Sequence, residues 1–508
     1  MAKFFFYSCS LYFFLLAFLG YPYGEDAHTE MLCYLKYECN NNLYAKDFFV
    51  QSITSNSINE RYFFVKILTL VKNNLSISVF FAHLTITLAT FLGLFKIAKN
   101  YLVDENLIWL LLFVLFVPFS YISFGSNFLY NNEFVSGSLS TTICIWALFF
   151  FIEKKYLIFS LLSALATLFH PIVGTQLFIL CLGAYFFSEY KNLFSFKHKK
   201  LIVSILVYVL IVGFPLCLLF KYFTSGEISN EEVYQLVTFR LPHHFIPSLF
   251  SLRNYVVLVP LLGFAIAFFY QKDKVVFGFL LTILFSNLVY IFCTDLLHSP
   301  ILFFSQWTRS SVWMMPFALI AVFCWVETKF VFLLKKMNNL PNFITVLFIF
   351  QLLFAFFIIV NPMKFSNTRH YNLPFLSYEN TPSIAISLQA KDIVPQDALF
   401  VQPTTLNLIK FFGEKSSYVN MIAFPNSKVF YKEWRRRIAK VYHVGPSDIF
   451  GNYQKMTTQA DENFYALREP DFYALNNEGI THIFTKKTHN LAFPKVLENS
   501  EFIIYKIE

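Results

Sequence analysis

ALATLFHPIVGTQL, residues 164–177, decides how this chain is threaded. Apolar residues run on both sides of His170-Pro171, from 156 to 187, so the stretch reads either as one long kinked helix or as two helices meeting at the proline. Proline lacks the backbone N–H that the preceding turn needs and disfavours helical geometry in the residue before it. A turn is therefore expected at His170, with helices over 156–169 and 171–187. One crossing in place of two would invert every later loop.

The rest of the chain makes these helices membrane crossings. Of 508 residues, 56% are hydrophobic and only 14% charged, too little charge to clothe a water-soluble surface of this size. The 68 phenylalanines, alongside many Lys, Asn and Ile, read as a coding bias, and no function is drawn from them. About 20 apolar residues in a helix span the roughly 30 Å hydrocarbon layer. Such runs fall near 4–20, 75–95, 107–122, 138–152, 156–169, 171–187, 201–220, 255–270, 275–293, 311–328 and 343–360, which predicts eleven crossings. The expected fold is mainly α, a polytopic transmembrane helical bundle over 1–360 with a long first outer loop at 21–74, followed by a soluble α/β domain at 361–508.

Lysine sets the orientation. With two helices around His170, one set of short intervals holds Lys3, Lys96, Lys99, Lys154, Lys155, Lys191, Lys197, Lys199, Lys200, Lys272, Lys274, Lys329, Lys335 and Lys336, which marks that side as cytoplasmic. The opposite short loops, 123–137 and 294–310, hold only Arg309 between them. All nine arginines lie on this outer side, where a planar fork of donors suits phosphate or carboxylate. The cytoplasmic loops are too short to house chemistry. The first run, after Lys3, is read as an uncleaved signal anchor because no small-x-small cleavage site precedes Tyr21.

In the tail, Thr381-Pro382 is expected to open a helix, strands to fall near 398–403, 416–421, 480–485 and 501–507, and further helices near 427–442 and 460–477. No Gly-rich phosphate loop and no metal-spaced Cys or His occurs there, so its default role is a cap or docking surface. Arg435, Arg436 and Arg437 fan around a helix axis and read as a solvated basic face. Six of eight cysteines fall inside apolar runs; Cys33 and Cys39 share the exported first loop and can bridge only if the helix between them ends.

Three outer constellations could carry chemistry. GEDAHTEM puts Glu25, Asp26, His28 and Glu30 directly after the first crossing, where carboxylates serve as a general base, bind a divalent cation or cap the following helix. RLPHHF, 240–245, offers Arg240, His243 and His244 to a phosphate; the alternative is a polar turn fixed by its prolines. The third comprises His170 with Asp295, His298 and Arg309.

A first crossing, a long outer loop beginning with an acidic pair, short-looped helices with an HPxxG element (His170 to Gly174) and an outer α/β tail together resemble the GT-C superfamily of membrane glycosyltransferases. The resemblance covers nearly the whole chain in architecture and is close to bacterial members of unassigned function. It implies a bacterial inner membrane location and a first-loop catalytic carboxylate. The matching pair is Glu25-Asp26, in Glu-Asp order where many relatives show Asp-Glu, which leaves the choice between the two open. Asp47 resembles a second acidic position of such loops. The implied donor is a polyprenyl-phosphate sugar, its phosphate met by Arg240, His243, His244, His170 and Arg309; the acceptor is a hydroxyl on a glycan, lipid or protein. A divalent cation, Mg or Mn, would aid the departing phosphate. Membrane lipids are expected partners, and nucleic acid is not. Transport or lipid flipping, and a non-catalytic role in envelope assembly, are the competing readings. The first lacks paired broken helices in matching halves.

Overall fold

The computed structural model describes residues 2–25, 27–56, 58–119, 122–189, 199–226, 229–240, 242–303, 305–329, 340–360, 373, 381–421, 427–445 and 453–507. The chain divides into two compact units. The first comprises Met1–Tyr21, Val79–Leu216 and His243–His370; the second comprises Pro22–Ser78, Cys217–Pro242 and Tyr371–Glu508.

Each predicted crossing falls on a helix: Ala2–Leu19, Leu75–Lys99, Glu105–Phe116, Ser136–Ile152, Tyr156–Phe169, Pro171–Glu189, Lys199–Thr224, Leu252–Lys272, Lys274–Ile291, Met314–Lys329 and Leu340–Val360. Among the described residues, seven helical stretches are long and apolar enough to cross a bilayer, and four more are apolar but shorter. Length alone thus supports seven of the eleven crossings. Their outward faces are apolar as well: Leu210 is 81% exposed, Phe214 69% and Phe356 67%. Water does not tolerate large apolar surface on this scale, whereas lipid does. The chain has the character of a helical membrane protein.

The break at His170 is present. Its backbone is extended (φ −147°, ψ 96°) between Tyr156–Phe169 and Pro171–Glu189. Its ring accepts the Val173 N–H at 3.4 Å and so substitutes for a donor pairing that the proline interrupts. Helix 105–116 stops short of the expected 122, just before Pro118. Asp273 ends one helix and caps the next, its carboxylate accepting the Val275 and Val276 N–H groups at 2.9 and 3.2 Å. Hydroxyls join helices inside the bundle: Ser140 donates to the Ala166 carbonyl at 2.9 Å, Thr90 and Thr142 share a bond of 2.8 Å, and Tyr7 meets Thr345 at 2.7 Å. In hydrocarbon such bonds are the polar alternative to an unsatisfied group. The first helix packs on Leu340–Val360, with Tyr7 and Phe348 rings stacked at 4.6 Å.

The second unit draws on three segments far apart in sequence. Its five-stranded sheet has the order β2-β1-β3-β5-β4, with β1 Leu399–Val401, β2 Ser416–Ser417, β3 His482–Lys486, β4 Lys495–Glu498 and β5 Phe502–Lys506. β1 pairs in parallel with β2 and β3, whereas β3, β5 and β4 are antiparallel. Ile386, Ala390, Phe400, Ile409, Phe484 and Ile504 form its apolar centre. The helix expected at Thr381-Pro382 is Pro382–Ile393, and that expected at 427–442 is Lys428–Tyr442.

Three expectations need correction. The helix read over 460–477 is two, Tyr453–Ala466 and Glu469–Asn476, because Pro470 starts a new helix and Arg468 is extended. The strand read over 416–421 shrinks to two residues, and β4 was not foreseen, since KVLE alternates too briefly to be distinctive. The arginine run is not simply solvated. Arg436 pairs with Glu433 and Glu478 at 2.8 and 2.9 Å, and Arg437 lies 4.5 and 4.4 Å from the Phe48 and Tyr418 ring centroids. All eight cysteines are unbridged, and Cys33 and Cys39 lie on one continuous helix, His28–Cys39.

Candidate functional site

In the first unit, His244 and Arg309, from the segments expected to form outer loops at 221–254 and 294–310, meet at a single turn of the 123–137 segment, Phe124–Ser126. Gly125 adopts φ +66°, a conformation that costs glycine little. A Cβ there would sit 2.8 Å from Arg309 Cγ and 3.2 Å from the Arg309 backbone nitrogen, so the small residue admits the arginine. On the same turn, the His244 Nδ1–H donates to the Gly125 carbonyl at 2.8 Å. That bond fixes the tautomer by leaving Nε2 as the other ring atom. The His243 ring lies beside it, tilted by 50°, with ring centroids 4.2 Å apart. Two candidates separated by 65 positions thus meet at one glycine.

Arg309 belongs to a short 3-10 helix, Trp307–Trp313. Its Nη1 donates to Gln306 Oε1 at 2.6 Å, and its Nε–H has no protein acceptor. No carboxylate lies within ion-pair distance of it among the described residues. The same short helix buries four further donors without a partner: Trp307 Nε1, Thr308 Oγ1, Ser311 Oγ and Trp313 Nε1. Buried donors are nearly always satisfied, and five orphans within seven residues is far from ordinary. Gln306, in the left-handed region at φ 45°, turns the chain into this helix. Gln176 holds that turn by donating to the Ser305 and Gln306 carbonyls at 2.8 and 3.0 Å.

The surrounding frame is polar and closely tied. Asn254 donates to the Ser123 carbonyl at 2.7 Å, Asn127 to the Arg309 carbonyl at 3.1 Å and Tyr290 to the Phe245 carbonyl at 3.1 Å. Asp295, in a π-helical turn over Phe292–Leu296, accepts the backbone N–H and hydroxyl of Ser248, both at 3.1 Å. His298 sits just after it at φ 48°. His170 rests against Gly137, the nearest approach being 3.4 Å from a Cβ at that position to the His170 ring. Gln176, Gln306, Asn127 and Asn254 were not singled out by sequence reading. Gln176 carried a usable signal, an amide inside an otherwise apolar run. Glu133, 8% exposed in the 123–137 loop, is a further buried carboxylate that sequence reading passed over.

Arg240 ends the helix Asn230–Arg240 in the second unit; its side chain lies outside the described residues. Asp26 also lies outside them. Around it, Gly24 takes φ +85° and lies against Phe411 and Phe412, and the Glu25 N–H bonds the Pro22 carbonyl at 3.0 Å. His28 is buried, its Nδ1 accepting the Gly24 N–H at 3.3 Å. Glu30 pairs with Arg61, which also pairs with Glu60. The acidic motif is therefore partly structural, with His28 and Glu30 serving the unit's interior.

Asp47 departs from the expectation that it assists catalysis. It is fully buried, caps Phe48–Thr54 through the Val50 N–H at 3.0 Å, ion-pairs with buried Lys410 at 2.9 Å and accepts the Ser417 N–H at 3.0 Å. A carboxylate so enclosed and so occupied holds the fold together and has no face for a substrate. No three His, Cys, Asp or Glu side chains among the described residues are grouped to hold a metal ion.

No protein-family model matches this chain, and comparison with curated proteins returns no match.

Proposed function

We propose that the chain is a membrane glycosyltransferase that takes a sugar from a polyprenyl-phosphate donor, with Arg309 and its neighbouring donors holding the donor phosphate. The observation that carries this reading is the donor-rich 3-10 helix: a guanidinium with one neutral partner, four further orphan donors, and His244 on the adjoining turn. Buried cationic groups are ordinarily neutralised, and one left unneutralised calls for an anion. Phosphate suits the guanidinium fork, and its remaining oxygens suit hydroxyl and indole donors. A lipid-linked phosphate suits a chain whose helices expose apolar faces.

Of the segments that lysine asymmetry assigns outside, 21–74, the first part of 221–254 and the tail fall largely in the second unit, while 123–137 and 294–310 belong to the first. In the transfer, the acceptor oxygen forms a bond to the anomeric carbon as the bond from that carbon to the phosphate oxygen breaks. The electron pair leaves with polyprenyl phosphate, stabilised by Arg309. A carboxylate, Asp26 or Glu25 by the family resemblance, accepts the hydroxyl proton, and the configuration inverts.

The test uses the full chain in lipid nanodiscs with a polyprenyl-phosphate hexose. Arg309→Gln is expected to weaken donor binding by roughly tenfold to a hundredfold, and Arg309→Lys to recover only part because the planar fork is lost. Binding to the wild-type chain that Arg309→Gln leaves unchanged would overturn the assignment, as would no binding at all. Asp26→Asn should leave donor binding intact and lower transfer by about a hundredfold.

A further inference from the structure

The second unit contains a cleft of about 510 Å³ that the donor reading does not use. Its size falls within the roughly 300–1,000 Å³ of small-molecule sites. One wall comes from the first-loop segment, including Asn40, Lys72, Asn73 and Asn74, and the other from the tail, including Lys391 and Glu414. Tyr23, Phe411 and Phe412, all buried, also line it.

The charges within it are arranged and unequal. Lys36 donates to the Phe411 carbonyl at 2.8 Å and to Glu414 at 2.9 Å, and its ammonium lies 4.2 Å from the Phe411 ring centroid. Lys391 reaches the same Glu414 at 3.1 Å. Two lysines thus share one carboxylate, and Lys72 adds a third ammonium to the lining. The cleft carries more positive than negative charge, so its ligand is an anion. Asn73 and Asn74 line it as well, and a side-chain amide carries a donor and an acceptor side by side, a pairing that matches vicinal hydroxyls and has little use for an isolated phosphate.

We infer that this cleft binds a short acidic oligosaccharide, one bearing uronate or phosphate groups. As the acceptor site of the transfer proposed above it would rest on that reading, but the binding itself does not require it.

Binding is measured on the full chain in nanodiscs with a galacturonic-acid tetrasaccharide, with maltotetraose as the neutral probe of equal length and inorganic phosphate as the bare anion. The acidic tetrasaccharide is expected to bind, maltotetraose about tenfold more weakly or worse, and phosphate not to compete at equal concentration. Lys72→Glu with Lys391→Glu, both at accessible positions, should weaken the acidic sugar by about tenfold or more. Asn74→Ala, which touches no charge, should weaken both sugars alike. Failure of the acidic sugar to bind, equal affinity for maltotetraose, effective competition by phosphate, or indifference to the charge reversal would each overturn the proposal. Because no donor is present and Arg309 is untouched, these outcomes are separate from those that test the donor reading.

Discussion

The two units treat buried charge in opposite ways. In the second, Asp47 and Lys410 neutralise each other with no solvent between, and Arg61 is claimed by Glu30 and Glu60. In the first, Arg309 has one amide partner and a row of unsatisfied donors beside it. Paired charge of the first kind specifies a fold, and unpaired charge of the second kind anticipates a ligand. Asp47→Ala breaks the pair and strands an ammonium in the interior. Destabilisation of the second unit by about 3–5 kcal/mol is expected. Asp47→Ala combined with Lys410→Met should recover much of it, since no charge is then left uncompensated. Hydrogen exchange at Phe48–Thr54 and at Leu408–Phe411 reads the effect locally. A single variant as stable as the parent would erase the contrast.

Arg309 should respond with the other sign. Arg309→Met removes a charge that the protein does not compensate, so the ligand-free chain is expected to unfold no more readily than wild type, with a gain of about 1 kcal/mol from the desolvation no longer incurred. If the proposed donor site is real, polyprenyl phosphate should raise the unfolding temperature of the wild-type chain and leave that of the variant unchanged. Thermal unfolding in nanodiscs with and without that lipid measures both. A large loss of stability in the ligand-free state would make Arg309 a structural residue like Lys410.

Much of the helical frame was legible because apolar runs and a single proline carry it: His170-Pro171 reads as a break in sequence and is one in space. The candidate site was legible in part. Arg309 and His244 stood out as ionisable groups in loops expected to lie outside, but that both rest on Gly125 is a tertiary fact that no local pattern encodes. Asp47 misled for the same reason. An acid in a loop read as exported looks accessible, and its partner Lys410 lies 363 positions away. The cleft was invisible because its walls come from segments more than 300 residues apart.

Acid should separate a third kind of group from the first two. Burial, with Lys506 nearby, holds the His482 imidazole down to about 4, so the folded state keeps it neutral where the unfolded chain protonates it. The unfolded state then binds more protons between about 6.5 and 4, and stability falls as pH falls through that window, with a slope approaching about 1.4 kcal/mol per pH unit. The Glu478 carboxylate, held low by Arg436 and Lys440, acts in a lower window. Its contribution is full above the usual glutamate range and lost as pH drops below it. His482→Gln should flatten the upper slope and leave the lower one. Unfolding of the second unit followed at several pH values, with hydrogen exchange over His482–Lys486, checks this. An unchanged upper slope would place the sensitive group elsewhere.

The smallest effect is expected where charge is paired but wet. Arg436 bonds Glu433 and Glu478 in a geometry as close as that of Asp47 and Lys410, yet its side chain is 45% exposed. Solvent already stabilises these charges when apart, so bringing them together gains little, and exposed pairs are typically worth about 0–1 kcal/mol. Arg436→Met should therefore cost less than about 1 kcal/mol, and 0.5 M salt should remove most of the difference, because screening at that strength acts over only a few ångströms. The Asp47 variant should be nearly indifferent to the same salt, its pair being closed to ions. If Arg436→Met proved as damaging as Asp47→Ala, and equally insensitive to salt, burial would not be what separates the two pairs. The inference from the unpaired state of Arg309 to a bound anion would then lose its footing, since that inference depends on enclosure making an uncompensated charge expensive.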